Sequence, residues 1–285
     1  MVPLVEPATR TYIVLYMPIR IQQQEVDYHI EGESQPADDR VLLVTDTDLT
    51  AGQPWSVAGY VVAPFLTATE NAILREGLAE KVRAALRATG SHVAADWPVE
   101  QYHRVVGDDQ ERHLAVVQHT KEYPLEALPL PVALLEARVS ALCGRPVRAH
   151  NPHIDRGAFH LRLARPGRTD NNPLHRDVWL DRLRDGINIY FPVAGSTLDS
   201  SLTLVPGSHW WPESRTERTA GGAIYNGTTY SVPALKAAAE PLELVRPNPG
   251  PDEVLLFSPY LLHGGALNLN ADATRISLEM RFWAV

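Results

Sequence analysis

The sequence predicts a mainly β fold, an antiparallel barrel or jelly roll with helices packed on its outside. Three observations carry this expectation. Capped helical patterns occupy the first half of the chain. Short β-rich runs separated by Gly, Pro, Asn and Asp clusters follow residue 150. The prolines, 23 in 285 residues, are dispersed and do not gather into a linker.

The elements follow in chain order. Residues 11–20 and 41–45 are apolar and β-branched and read as strands of an N-terminal extension. Thr67-Ala68-Thr69-Glu70 is a capping box, in which the Thr hydroxyl and the Glu carboxylate satisfy each other's backbone amides. It opens an amphipathic helix with Leu74, Leu78, Val82 and Leu86 on one stripe, ended by Gly90. A second helix is expected from about Pro131 to Leu142, with proline in its first turn and Gly144 just past its end. The runs Phe159–Leu163, Ile187–Phe191, Leu202–Val205, Val254–Phe257 and Arg275–Phe282 read as barrel strands. Between them, 210–236 has no period and holds Trp210, Trp211, Tyr225 and Tyr230, so it reads as a lid-like insert with aromatic faces suited to a polyhydroxylated substrate. The expected organisation is one domain over 1–285: an extension (1–65), helical support (66–150) and a β core (155–283).

Composition excludes several classes. The net charge of −8 disfavours nucleic acid as a partner. No apolar run approaches the ~20 residues that cross a bilayer, so no membrane partner is expected. The N-terminus lacks the basic and apolar regions of a secretory signal. The single cysteine, Cys143, forbids an intrachain disulfide and reads as a small apolar residue, which fits a cytoplasmic protein.

The chemistry centres on His175-Arg176-Asp177. Residues two apart on a strand project to one face, so His175 and Asp177 can share a ligand. A distant histidine added to them makes a facial triad, which leaves one side of an octahedral iron open. A His-x-Asp pair is common by chance, and His153-Ile154-Asp155 is a second one, read as a loop pair.

Context gives the pair at 175 its weight. His175-x-Asp177, then Val205-Pro206-Gly207-Ser208-His209, then His263-Gly264-Gly265, then Arg275-x-Ser277 resembles the phytanoyl-CoA dioxygenase (PhyH-like) family of iron(II)/2-oxoglutarate oxygenases over residues 155–283. The resemblance implies a double-stranded β-helix (jelly-roll, cupin-like) core and the cofactors Fe(II), 2-oxoglutarate and O2. It implies His175, Asp177 and His263 as metal ligands, and Arg275 with Ser277 as the grip on the cosubstrate's far carboxylate. A planar guanidinium suits a carboxylate, and a neighbouring hydroxyl completes the cradle. Tyr190 and Arg162 are further expected cosubstrate contacts, with His160 and Asn188 on strands that border the iron. Arg176, Trp179, Trp210 and Tyr225 are the expected substrate contacts, Arg176 either facing solvent or closing over the site. Asp177 disfavours halogenation, since related halogenases carry a small residue there. His209 is not assigned to the metal.

The expected activity is hydroxylation or oxidative cyclisation of a small polar substrate. The wording around Asn226-Gly-Thr and residues 258–265 most resembles saccharide-modifying members, among them the orthosomycin oxygenases that close orthoester rings. A saccharide-containing natural product is therefore the expected substrate, and no basic cluster suited to a CoA phosphate is evident. The alternatives are a cupin-type metalloenzyme that dispenses with 2-oxoglutarate and a non-enzymic jelly-roll carbohydrate-binding protein.

Overall fold

The structure, a computed structural model, describes residues 18–285. Its centre is an antiparallel sheet in which the strands run in the order Tyr60–Pro64, Glu253–Phe257, Gly186–Ala194, Arg275–Ala284, Ala158–Ala164 and Tyr123–Pro124. Val147–Arg148 pairs with the far end of Arg275–Ala284. Successive side chains alternate between the two faces of such a sheet. Ile187, Ile189, Phe191, Ile276, Leu278 and Met280 therefore all turn outward into the largest apolar core. The helices α1 (Ala68–Ala88), α2 (Tyr102–Val106), α3 (Gln110–Thr120) and α4 (Val132–Cys143) supply the other side of that core. The alternate positions, Asn188 and Tyr190 on one strand and Arg275, Ser277, Glu279 and Arg281 on the next, form a polar inner face.

Both expected helices are present. Thr67 caps α1 in a full capping box, and its buried stripe contains Leu74, Leu78, Val82 and Leu86. For α4, Pro131 is the N-cap and not an interior residue, and Gly144 terminates it at φ 69. The sequence reading missed α3, which Asp109 caps through the amide of Arg112. Only His113, Val116 and Thr120 of this helix are buried, so its apolar stripe is too thin to announce it.

Opposite the main sheet the barrel wall is irregular. The expected strand at Leu202–Val205 is reduced to bridges from Leu204 to Val245 and to His263, and His263 bridges His175 in turn. Residues 41–45 likewise yield one bridge, Val41 to Pro212. The run 11–20 falls largely on residues outside the described ones; Ile19–Ile21 is a strand.

The segment 210–236 is not irregular. Thr216–Thr219 pairs with Leu235–Ala238 and with Ser34–Gln35, and Ala223–Tyr225 pairs with Thr228–Tyr230 and with Ile30–Glu31. The N-terminal extension thus supplies the outer strands that this insert needs to satisfy its backbone. No helix among the described residues is long and apolar enough to cross a membrane.

Candidate metal centre

The site is built from two chain segments joined at the backbone. His175 N donates to His263 O and His263 N donates to His175 O, each at 3.0 Å. This reciprocal pair sets the two imidazoles side by side, with ring centroids 4.3 Å apart. Gly264 and Gly265 make the approach possible. Both hold positive φ, 92° and 77°, and a Cβ on Gly264 would lie 2.9 Å from Asn172 O and 3.0 Å from Pro173 O.

The same local device orients each ring. His175 Nδ1 lies 2.8 Å from Pro173 O, and His263 Nδ1 lies 2.9 Å from Leu261 O. A carbonyl only accepts, so each Nδ1 carries the proton and each Nε2 keeps its lone pair. Burial, with His175 beside it, pushes His263 down to about 4, so the ring stays neutral at pH 7.

Asp177 opens a 3-10 turn, Asp177–Trp179, and does not continue a strand as the sequence suggested. Its Oδ1 lies 3.3 Å from His175 Nε2 and 3.8 Å from His263 Nε2. Metal bonds of about 2.1 Å with neighbouring ligands near a right angle would separate donors by about 3 Å. One ligand atom from each residue lies within 4.8 Å of the others, and all three residues are buried. Asp177 Oδ2 is fully engaged elsewhere. It accepts from Asn188 Nδ2 at 2.9 Å and from Arg281 Nε and Nη2 at 3.0 and 2.9 Å. Burial opposes ionisation of Asp177, but the Arg281 guanidinium outweighs it and holds the carboxyl well below its ordinary range. The donor set is therefore two imidazole nitrogens and one carboxylate oxygen, pre-aimed, which suits a divalent iron.

The chain matches the family model described as phytanoyl-CoA dioxygenase (PhyH) over residues 55–277. It belongs to the PhyH family. It is accordingly a 2-oxoglutarate-dependent non-haem iron enzyme that uses Fe(II), 2-oxoglutarate and O2, with a double-stranded β-helix core. No curated protein matches the chain. Among solved structures, EctD from S. alaskensis, determined with 2-oxoglutarate and 5-hydroxyectoine, is 18% identical, with 94% of this chain and 86% of that chain covered and a TM-score of 0.43. AviO1 from Streptomyces viridochromogenes Tue57 is 20% identical, with coverages of 83% and 95% and a TM-score of 0.43. The epimerase SnoN, determined with Fe3+, alpha ketoglutarate and nogalamycin RO, is 19% identical, with coverages of 81% and 80% and a TM-score of 0.46. At these values the likenesses bear on neither substrate nor reaction.

In this PhyH-family chain the metal centre separates two connected chambers. The inner one, about 540 Å³, is lined by His175, Asp177, His263, Asn171 and Asn188. The outer one, about 850 Å³, shares His175, Asp177, Arg162 and Arg281 with it. Arg275 is only 2% exposed and lies behind Asn171. Its Nη1 donates to Ser277 Oγ at 2.8 Å and its Nη2 to Asn171 Oδ1, while its buried Nε has no partner. The Tyr190 ring lies 5.7 Å from its guanidinium carbon, and the Tyr190 hydroxyl bonds Ser196 Oγ. Arg246 is a second buried guanidinium nearby, held only by the carbonyls of Ser201 and Leu267. Burial, then the charge of Arg275, pulls Arg246 down to about 10. Neither arginine has an ion-pair partner among the described residues.

The four expected substrate contacts line neither chamber. Arg176 is buried against Glu213 at 2.6 Å and Ser208 O at 2.9 Å, so it neither meets solvent nor covers the site. Trp179 Nε1 donates to the same Glu213, at 2.9 Å. Trp210 is 42% exposed, and its indole sits beside Ser56 O. Tyr225 is buried and donates to Gly265 O at 3.0 Å, which props the glycine pair after His263. His209 is buried, with its ring under Gly59 and Nε2 2.9 Å from Ser56 O. His153 and Asp155 lie in a loop away from the metal centre, where Asp155 pairs with His150.

Arg281, Asn171 and Glu279 went unread in the sequence, and a signal for two of them was there. The alternation that puts Arg275 and Ser277 on one face continues to Glu279 and Arg281. Asn171 carried none, because a loop residue gains its place only from the fold.

Proposed function

We propose that His175, Asp177 and His263 hold the iron, and that Arg275 and Ser277 anchor the far carboxylate of 2-oxoglutarate, in a single oxygenase domain acting in the cytoplasm. The observation that carries the metal assignment is the pair of Nε2 lone pairs aimed with Asp177 Oδ1 at one point. The under-partnered Arg275, with a buried orphan Nε, supports the cosubstrate assignment. A buried cation without an anion is costly, and a ligand carboxylate removes that cost.

The iron and cosubstrate together supply the oxidising chemistry, in which 2-oxoglutarate and O2 become succinate and CO2 while a substrate C–H bond is oxidised. The protein's own contribution is positional. Pro173 O and Leu261 O fix the imidazole tautomers. Arg281 and Asn188 occupy Asp177 Oδ2, so only Oδ1 is offered to the metal. Phe257 and Leu202 give the inner chamber an apolar wall beside the metal centre. The outer chamber opens on the metal centre. The reaction we assign is hydroxylation or oxidative ring closure of a small polar molecule, and saccharide-bearing natural products are the first class to screen.

Anaerobic addition of Fe(II) and 2-oxoglutarate tests this reading. The expected result is the visible metal-to-ligand charge-transfer band of a chelated 2-oxo acid, lost in His175→Ala. An iron-loaded protein that gives no band with 2-oxoglutarate favours a cupin-type reaction without this cosubstrate. A protein that binds no iron favours a non-enzymic jelly roll.

A further inference from the structure

The outer chamber has a chemical character that the proposed function leaves unused. Four guanidiniums, Arg156, Arg162, Arg182 and Arg281, face it, against the carboxylates of Glu122 and Asp177. Arg156 pairs with Glu122 at 3.1 Å, Arg281 with Asp177, and Arg162 with Glu279 from the inner chamber, so among the described residues four cations face three anions and Arg182 is the surplus. The chain as a whole carries a net charge of −8, so this cleft runs against the protein's overall field. A cleft with a surplus of one charge concentrates ligands of the opposite sign.

Arg162 is the best placed of the four. Its Nε is held by Glu279 at 2.9 Å, which fixes the plane of the group. Its two terminal nitrogens have no protein partner among the described residues, and they are not sealed from the cavity. That leaves a planar fork of donors, the geometry that grips an oxyanion with two bonds. Arg281 is held the same way, with Nε and Nη2 on Asp177 and Nη1 free of protein partners. Both line the junction of the two chambers, next to the metal centre. Arg182 stands exposed at the rim. Leu180, Leu183, Val232 and Trp283 supply an apolar stretch of the wall, beside the polar Asn151, His160 and Asn172. The Trp283 indole N–H is spent on Arg184 O at 2.9 Å, so the ring offers only its apolar face.

We infer that the outer chamber selects a substrate carrying an oxyanion, a carboxylate or phosphate monoester, on an apolar body, with Arg162 taking the anion and Arg281 beside it. This rests on the proposed iron and 2-oxoglutarate site, and it moves Arg162 from the cosubstrate to the substrate.

The test uses the iron(II)–2-oxoglutarate holoenzyme without O2. Octanoate, octyl phosphate and the neutral octanamide are titrated, and the shift of the charge-transfer band is read. At least one anion is expected to half-saturate the shift at about tenfold lower concentration than the amide. Arg162→Gln should abolish that advantage, and Arg162→Lys should restore part of it. Whichever anion binds more tightly identifies the carboxylate or the phosphate form of the substrate. The inference is overturned if the amide binds as well as both anions, if none of the three binds, or if the advantage survives Arg162→Gln. It is also overturned if that variant instead weakens 2-oxoglutarate binding and keeps the anion preference, which returns Arg162 to the cosubstrate. Absence of the band in the unmodified protein, seen before any probe is added, sinks the iron reading itself and the inference with it.

Discussion

The metal centre and the Arg275 pocket lie on one polar face of one barrel, yet they are finished to different degrees. At the candidate metal centre the outward-facing atoms of the three ligand residues already have their partners. Both Nδ1 groups face carbonyls and Asp177 Oδ2 accepts three N–H donors. At Arg275 the guanidinium meets only neutral oxygens and keeps a buried N–H with no partner. The difference fits what each site is proposed to receive. A cation needs its ligands aimed and its spare lone pairs occupied in advance. A dicarboxylate needs a buried positive charge that the protein has not already neutralised.

Five changes break or sharpen this contrast. The largest effect belongs to His175→Ala, which removes iron binding and succinate formation together; near-normal succinate production by this variant would refute the assignment. Next, Arg275→Gln should leave iron binding intact and weaken 2-oxoglutarate about 30- to 5,000-fold, the ~2–5 kcal/mol typical of truncating one partner of a buried charge pair. Charge-transfer titration measures it, and an unchanged affinity removes Arg275 from the cosubstrate. Third, Arg281→Leu should lower iron affinity about 10- to 100-fold through the freed Asp177 oxygen. Competition with a calibrated chelator reads this without turnover, and an unaltered affinity shows that Asn188 suffices alone. Fourth, Gly264→Ala should cost about 1–3 kcal/mol in strain, since its φ of 92° and the nearby carbonyls resist a Cβ. It shows as a lower Tm, and a neutral result means the link between residues 175 and 263 tolerates slack.

The smallest effect concerns the loop beneath Arg275. Asp170, beside Asn171, is clamped by Arg165 at 2.8 Å and lies 3.3 Å from His113 Nε2. Burial pushes His113 down to about 4 despite Asp170. An unfolded imidazole titrates near 6.5, so between pH 6.5 and 4 the unfolded chain binds the extra proton. Stability from this group is therefore full above pH 6.5 and falls as the pH drops through that window. His113→Gln should flatten the decline by at most one proton, measured by urea unfolding at pH 7 and pH 5. An unchanged slope would mean that His113 takes up its proton in the folded state.

Much of this was legible in the sequence wherever a local rule decided the outcome. Strands such as Arg275–Ala284 announce themselves because one face is aliphatic at every second position. The capping box of α1 is written in four consecutive residues. The three residues proposed to hold the metal were singled out by their motifs, and the fold brings them together. The failures share a cause, which is that the environment came from elsewhere in the chain. Trp210 and Tyr225 look like a sugar platform, but one packs against Ser56 and the other props Gly265. The basic cluster of the outer chamber was invisible because Arg156, Arg162, Arg182 and Arg281 meet only once the strands pair. Residues 41–45 have strand composition but find no neighbouring edge beyond one bridge.

The reciprocal amide link between residues 175 and 263 has an implication for redesign. The bite between the two nitrogen donors is a property of the main chain, while the carboxylate is contributed from a separate 3-10 turn. The oxygen donor is thus the interchangeable part of the centre. Shortening it to glycine or alanine should vacate one coordination position for an exogenous anion and leave the histidine spacing unaltered.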